Sequence, residues 1–445
     1  MSCRFLALAA FSLSTLASGA AFASVLQVPD WHDPNAVARA AADSHPALRR
    51  IDAETRAARE RVTQAGAYPN PMVMGGIQDL QVDLTHDEMM TMYMVGASQT
   101  IPRRSRRDAL RSVAELDVQR IEFESASVRA EAERDALFAW YDLAAADSQI
   151  RSFHEVDKSL GTLVAAVRAR YEAGSAIGAD IVRAQLLHSG VSHQILTTTG
   201  IRRAAAARLL PLLGLPLATE VPPLHLPHST ETRMIEHARE IADSHPALAG
   251  LRSEVERREQ EIRLARLLER PDISLEASYG MRPIQKDVFS VIARIELPLW
   301  KKTTIEPRLR EAIAARDAAS ARIEELRRAL VADLGAAYEA HAEATRQIEF
   351  HQQVLVPQSK LAFESTRAAY EGGKTTLDAV LATEATYLRL EIDYYDFLAR
   401  HIKAIADFQA IQRGARRGAI GDGAMSPPAG DTTMSGITAT STEMK

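Results

Sequence analysis

The chain has 445 residues with 53 Lys or Arg against 58 Asp or Glu, a formal charge of −5 that offers no basic surface for a nucleic acid. Its single cysteine excludes an intramolecular disulfide and a thiolate metal cluster. Beyond the N-terminus no apolar run of about 18 residues occurs, which excludes a spanning helix but not a membrane strand, since about 10 alternating residues make one.

Residues 1–23 read as an export signal. Arg4 supplies the positive start, Phe5 to Leu16 an apolar stretch, and Ala21-Phe22-Ala23 a small-residue cleavage site before Ser24. Cys3 precedes that site, so a mature chain is expected to have no thiol, and loss of Arg4 takes its charge from −5 to −6.

The first half, 24–226, starts with an amphipathic segment over 34–66. It is interrupted at His45-Pro46, where proline drives its predecessor out of the α region and the helix restarts, with Ser44 nearby as a cap. Two β-type runs follow, Met72 to Leu84 and Met92 to Ile101, joined by a turn at His86 to Met89 that reads as a solvated loop. From 103 to 173 there is no proline and one glycine, Gly161, so a single helix of roughly 70 residues and about 105 Å is expected. A return helix over 178–210 and a proline-rich connector, with "HLPH" at His225 to His228, close the half.

The second half, 227–413, repeats that order. "ADSHPAL" at Ala42 recurs unchanged at Ala242, Pro71 is answered by Pro271, "SQTIPRR" by "RIELPLWKK", and "ARYEAG" by "AAYEGG". Four landmarks in one order mark an internal duplication. The repeat predicts a helix over 230–268 restarting at Pro246 beside Ser244, and a hairpin within 273–297. A long helix over 308–372, broken at Pro357, and a return helix over 375–413 complete it. Ile273, Leu275, Ala277 and Tyr279 alternate with Ser274, Glu276 and Ser278, the signature of a strand with one wet face. In the last helix Leu381, Leu388, Tyr395 and Ile402 repeat every seven residues. Glu384 and Glu391 fall on the second seam, tolerable if it borders water, or a mark of loose packing. Residues 414–445 are Gly/Ser/Thr/Pro-rich and expected to be disordered.

Four strands with one apolar face cannot close on themselves, because small membrane barrels start near eight strands. Several copies of the chain are therefore expected to share one barrel. No nucleophile elbow, Walker loop, HExxH or cysteine cluster is present, so neither an enzyme nor a cofactor is expected.

The doubled strand-strand-long-helix order, "SQTIP" and "IELPLW" at the strand-to-helix passages, "LLPLLGLP" before the second half and "RYEAGSAIGADIVRAQ" at a helix turn resemble the TolC-like outer-membrane efflux channels, and more closely their heavy-metal-efflux branch. The resemblance implies a mostly α protein with a small β part. Long α-helical hairpins would form a periplasmic α-barrel, and two β-hairpins would give four strands to a trimeric, twelve-stranded outer-membrane β-barrel. It also implies a homotrimer in outer-membrane lipid, a periplasmic membrane-fusion adaptor and a resistance-nodulation-division type inner-membrane pump as partners, and passive export, with metal cations or organic solutes as cargo. A periplasmic coiled-coil scaffold without a pore is the rival reading; it leaves the amphipathic hairpins unexplained.

The resemblance makes the helix turns the periplasmic tips. Tyr171, Gly174 and Asp180 match the first tip, with Gly174 turning the chain and Asp180 either lining an acidic constriction or capping its helix. Tyr370, Gly372 and Gly373 match the second; Ala379 stands where an acid is common and Asp378 one place early, so a second acidic ring is in question. Lys374 is expected to pair with acids across the tip. Counting in twos sends Val73, Ile77, Tyr93, Val95 and Ile101 to lipid and Met72, Met74, Met92 and Met94 to the lumen. Thioethers there suit soft cations such as Cu(I) and Ag(I), or pack simply as adaptable apolar groups. Trp300 is expected to anchor at the membrane interface.

Overall fold

The computed structural model describes residues 29–79, 91–227, 238–282 and 285–416. The expected signal segment, the loop at His86 to Met89, His228 and the tail from 417 lie outside the described residues. Helices α1 (Pro34–Ser44) and α2 (Pro46–Ala65) lead into strands β1 (Met72–Gln78) and β2 (Met92–Ile101), then helices α3 (Arg104–Glu172) and α4 (Gly178–Leu212). The same order returns as α5 (Ala238–Asp243), α6 (Pro246–Leu267), β3 (Ile273–Met281), β4 (Val288–Ile295), α7 (Lys301–Phe350), α8 (Val356–Glu371) and α9 (Leu377–Arg413).

Each helix restart before a hairpin is built on histidine, not on the serine expected from the sequence. His45 Nδ1 accepts the Ala47 N–H at 3.3 Å and His245 Nδ1 the Ala247 N–H at 3.1 Å, filling one of the donor vacancies of a helix start. The serines close the preceding helices instead: Ser44 Oγ donates to the carbonyls of Ala41 and Leu212, and Ser244 Oγ to that of Ile241. His245 is 1% exposed, and burial lowers its pKa. A neutral ring accepting at Nδ1 leaves Nε2 to donate, 3.4 Å from the Ala415 carbonyl.

The 69 residues of α3 rise about 100 Å, the expected rod. Its counterpart differs from expectation twice. It starts at Lys301 and carries Pro307 inside its early turns, and it is not broken at Pro357. A five-residue π turn, His351–Leu355, joins α7 to α8 immediately before that proline. The wider turn accommodates a ring that has no N–H to donate and would crowd the preceding carbonyls of a regular helix.

All four strands form one antiparallel sheet in the order β1-β2-β3-β4, the halves joining where Ala97 pairs with Ala277. β1 ends at Gln78 and β4 at Ile295, both shorter than expected, with Asp79 leaving β1 at φ 58°. The strand-to-helix passages are pinned across the repeat. Asp272 accepts the Arg103 N–H at 3.0 Å and the Arg106 guanidinium, while Arg103 Nε donates to the Pro271 carbonyl at 3.1 Å.

The main core lies midway along the rods, where α1, α3, α4 and α9 converge. Trp140 is 1% exposed at its centre, among Val37, Leu143, Leu209, Leu224 and Ile402, and its indole N–H donates to the Trp31 carbonyl at 2.8 Å. Asp147 clamps the connector here, accepting from Arg202 Nε at 2.6 Å and the Leu224 N–H at 2.9 Å. A second core runs down α3, α4, α8 and α9 through Phe153, Leu160, Val191, Phe363, Val380 and Tyr387. Replacing Trp140 with Ala removes the largest fully buried side chain of the main core at a cost of about 3–5 kcal/mol. The expected result is a melting transition lowered by several degrees in detergent, read by circular dichroism.

Candidate functional site

Two regions concentrate groups that the helical packing does not consume: the pair of turns at the far end of the rods, and the sheet. At the first turn Gly174 adopts φ 75°, its N–H donating to the Tyr171 carbonyl at 2.9 Å and the Ser175 N–H to that of Arg170 at 2.8 Å. At the second, Gly373 adopts φ 74° with the same closure, Gly373 to Tyr370 at 2.9 Å and Lys374 to Ala369 at 2.8 Å. This left-handed conformation strains any residue with a Cβ, which is why glycine stands at both. Gly372 has φ −79° and carries no such demand.

The two turns lie against each other. Arg170 donates to the Tyr370 carbonyl and its guanidinium sits 4.8 Å from that ring's centroid. Arg183 Nη1 is 3.3 Å from Asp378 Oδ1. Lys374, expected to pair with acids across the tip of a shut channel, is exposed and enters no ion pair among the described residues; the ion pair between the two turns is Arg183–Asp378, and Arg170 adds a hydrogen bond and a ring contact. The sequence reading missed both arginines. The signal available was a basic residue on each helix flanking the first tip, Arg170 one turn before Gly174 and Arg183 in the second turn of α4, each indistinguishable by itself from a solvated helix charge.

Asp180 accepts the Ile177 N–H at 3.3 Å, the capping geometry of a helix start. Its carboxylate is also near enough to Tyr370 to act on it: burial first, and then the Asp180 charge, raise the phenol's pKa. Tyr370 is 4% exposed and its hydroxyl has no hydrogen-bond partner, whereas its repeat-mate Tyr171 is 49% exposed. The duplication thus gives the two tyrosines different surroundings.

Above the tip, both acids on the α9 seam carry a buried oxygen with no hydrogen-bond partner, Glu384 Oε1 and Glu391 Oε2, and Glu384 is the more deeply buried of the two. Glu384 is 2% exposed beside a groove of about 580 Å³ between α4 and α9, lined by Leu186, Leu187, Val191, Leu381, Leu388 and Ile392. Its Oε1 has no partner, and burial pushes its pKa up to about 7. Water at the seam, expected for both acids, therefore does not reach this one. Higher on α9, His401 stacks on His341 with centroids 4.5 Å apart, and burial followed by the neighbouring ring pushes His401 down to about 4.

In the sheet, register sorts most side chains by polarity, the exceptions being Gln99 on the apolar face and, besides four methionines, Val288 and Ile292 on the polar one. One face carries Val73, Ala97, Ala277 and Val291 in a row, then Val95, Tyr279 and Phe289, then Ile77, Tyr93 and Met281, then Ile101, Ile273 and Ile295. Phe289 is 68% and Val73 78% exposed on it. The opposite face carries Ser98, Thr100, Ser274, Glu276, Ser278, Ser290 and Arg294, with Glu276 paired to Arg294 at 2.8 Å and Thr100 to Ser274 at 3.1 Å. Met72, Met74, Met92 and Met94 share this polar face. Trp300 stands 72% exposed at the helix end of the sheet beside Leu297 and Leu299, with its carbonyl capped by Thr303 and Thr304. Among the described residues no helix is long and apolar enough to cross a membrane, and no cluster of three or more His, Cys, Asp or Glu can hold a metal.

The family model described as "Outer membrane efflux protein" matches residues 37–215 and 238–406, and the chain belongs to that family. The two matched stretches coincide with the two copies of the element order. No curated protein matches the chain. Among solved structures, the fold is similar to that of CusC, with a TM-score of 0.74 at 15% identity over 86% of this chain and 92% of that one. The outer-membrane channel OprN gives 0.74 at 16% identity over 86% and 90%. The outer membrane protein VceC of Vibrio cholerae gives 0.72 at 17% identity over 86% and 96%. The protein is an outer-membrane efflux channel, with a long helical part in the periplasm, and not an enzyme.

The Glu384 environment fixes a pH dependence. Below about pH 4.5 the carboxyl is protonated folded and unfolded alike; between there and about pH 7 only the unfolded chain ionises, so stability falls as pH rises and stays lowered above that. Glu384→Gln is expected to raise the melting temperature by a few degrees above pH 7 and to leave it unchanged near pH 4, measured by thermal scans in detergent.

Proposed function

We propose that three copies of the chain close one twelve-stranded barrel and continue it as a helical tube, giving cargo handed over by an inner-membrane pump and a periplasmic adaptor a passive way out. The observation that carries this is the sheet: a continuous exposed apolar face, a largely polar face behind it, and edges at β1 and β4 that pair with no strand among the described residues. In lipid every backbone donor and acceptor must be satisfied, and only a closed ring of strands does so. Sister copies supply the missing partners at each edge. The apolar face then meets acyl chains, the polar face lines the lumen, and Trp300 lies where the barrel passes into the tube, at the depth where indole rings prefer to sit.

The paired turns are the gate and the adaptor's docking point. Arg170 on Tyr370 and Arg183 on Asp378 hold the two helical hairpins of one protomer together at the narrow end. The Arg183–Asp378 pair is exposed and therefore weak, on the order of 1 kcal/mol or less, so an adaptor or raised ionic strength can release it, while the part-buried Arg170 contact on Tyr370 is the firmer of the two. Asp180, repeated around a threefold axis, sets a negative rim that favours cations, while Asp378 is matched by Arg183. Heavy-metal cations are the cargo this rim and the lumen methionines favour. The same duct would pass organic solutes, and a deletion strain that lost tolerance to dyes alone, with copper, silver, zinc and cobalt tolerance intact, would contradict the metal reading.

In planar bilayers the purified protein is expected to conduct in discrete steps; silence would contradict the duct. Arg170→Ala with Arg183→Ala is expected to raise the single-channel conductance several-fold, and an unchanged current would show that these contacts do not hold the gate. Asp180→Ala is expected to weaken block by multivalent cations; if block is unaltered, the carboxylate serves only its helix.

A further inference from the structure

Methionine is distributed in a way the duct does not require. Of the chain's 12 methionines, six fall between positions 72 and 94: Met72, Met74, Met89, Met90, Met92 and Met94. The duplicated hairpin, 273–295, has one, Met281, and it lies on the apolar face. The four methionines in β1 and β2 lie on the polar face, in company with serine, threonine and the Glu276–Arg294 pair. Besides the methionines, the apolar side chains on this face are Val288 and Ile292, both on β4, too few to make a core that an adaptable gap-filler would complete.

The register arranges the four as a ladder. Met74 stands opposite Gly96 and Met94 opposite Gly76, so Met74 and Met94 are diagonal neighbours with backbones about 7 Å apart, within reach of two flexible thioethers. Met72, opposite Ser98, and Met92, opposite Gln78, extend the ladder at its two ends. Glycine clears the space around the sulfurs. Met94 is flanked by Gly76 on one side and Gly280 on the other. A Cβ on Gly280 would stand only 2.3 Å from Met92 Sδ, and one on Gly96 would stand 3.3 Å from Met74 Cγ. Glu276 and Arg294 cancel each other's charge, so the donors offered to a passing ion are neutral sulfurs.

We infer that the polar face of the first hairpin is a binding track for soft monovalent metal cations, Ag(I) or Cu(I), held by the thioethers of Met72, Met74, Met92 and Met94. Thioether ligands select these ions over Zn(II) or Mg(II), which prefer nitrogen and oxygen. The inference rests on the duct reading for the placement of that face in the lumen. Repetition around the trimer gives one ladder per protomer, a series of weak sites that a soft cation can occupy and leave.

The test uses the mature chain, from which the expected cleavage after Ala23 removes the one thiol, Cys3, and silver nitrate as probe in chloride-free potassium nitrate. Silver is expected to reduce the potassium current, and Met72→Leu, Met74→Leu, Met92→Leu and Met94→Leu together to abolish that effect while the potassium current stays. Met281→Leu, on the opposite face, is expected to keep it, and zinc is expected to give no methionine-dependent effect. Silver titration of the detergent-solubilised protein is expected to weaken by more than about tenfold in the fourfold variant. If that variant fails to assemble, Met94→Leu alone serves, with weaker silver binding expected. Equal silver binding with and without the methionines overturns the track and leaves the duct standing. Absence of potassium current in every form overturns the duct, and the titration then decides on the sulfurs by itself.

Discussion

The structure depends on an unmet requirement of the backbone. β1 and β4 each present a row of N–H and C=O groups with no strand partner among the described residues, on a sheet whose broad face is apolar and exposed. In water such an edge recruits any other strand; in lipid it cannot stand at all. Closure by identical copies resolves both problems at once, and it explains why strands make up so little of a chain whose helices run to 69 residues. Among the described residues no helix is long and apolar enough to cross a membrane, whereas the sheet presents a broad exposed apolar face.

From that constraint the helical part follows. Long helices must leave the barrel at one end and return, which needs a reversal at each far tip, and a glycine in the left-handed conformation supplies it at Gly174 and Gly373. The rods are held midway by the Trp140 core and the Asp147 clamp, and toward the tips by the second core, which reaches Tyr370 and Leu377. Beyond that core the two turns add the part-buried Arg170 contact and the exposed Arg183–Asp378 pair. Duplication gives both hairpins one scaffold while allowing them to diverge: histidine caps recur at 45 and 245, but methionine loads only the first sheet half and tyrosine is buried only at the second tip.

Much of this was legible because it is written in local pattern. Alternation from Ile273 to Tyr279, the absence of proline between 103 and 173, and the repeated "ADSHPAL" each map directly onto an element. What escaped the reading depends on neighbours distant in sequence or on geometric choices that one residue type does not fix. Serine is the commoner cap, yet histidine took the role at both restarts because its Nδ1 already stood beside the first free N–H. Pro357 signals a break, yet a π turn absorbed it. Arg170 and Arg183 look like any helix charge until the second tip is brought against them. Glu384 was visible as an acid on a seam, but only packing against Leu186 and Leu187 of α4 makes it dry.

The central claim is that each chain contributes an incomplete share of a wall that sister copies finish. Native mass spectrometry of the detergent-extracted protein counts the chains in each particle. The account predicts three per particle, with the β content retained. Single chains that keep a folded sheet would contradict it, because the edges of β1 and β4 would then be stable without partners.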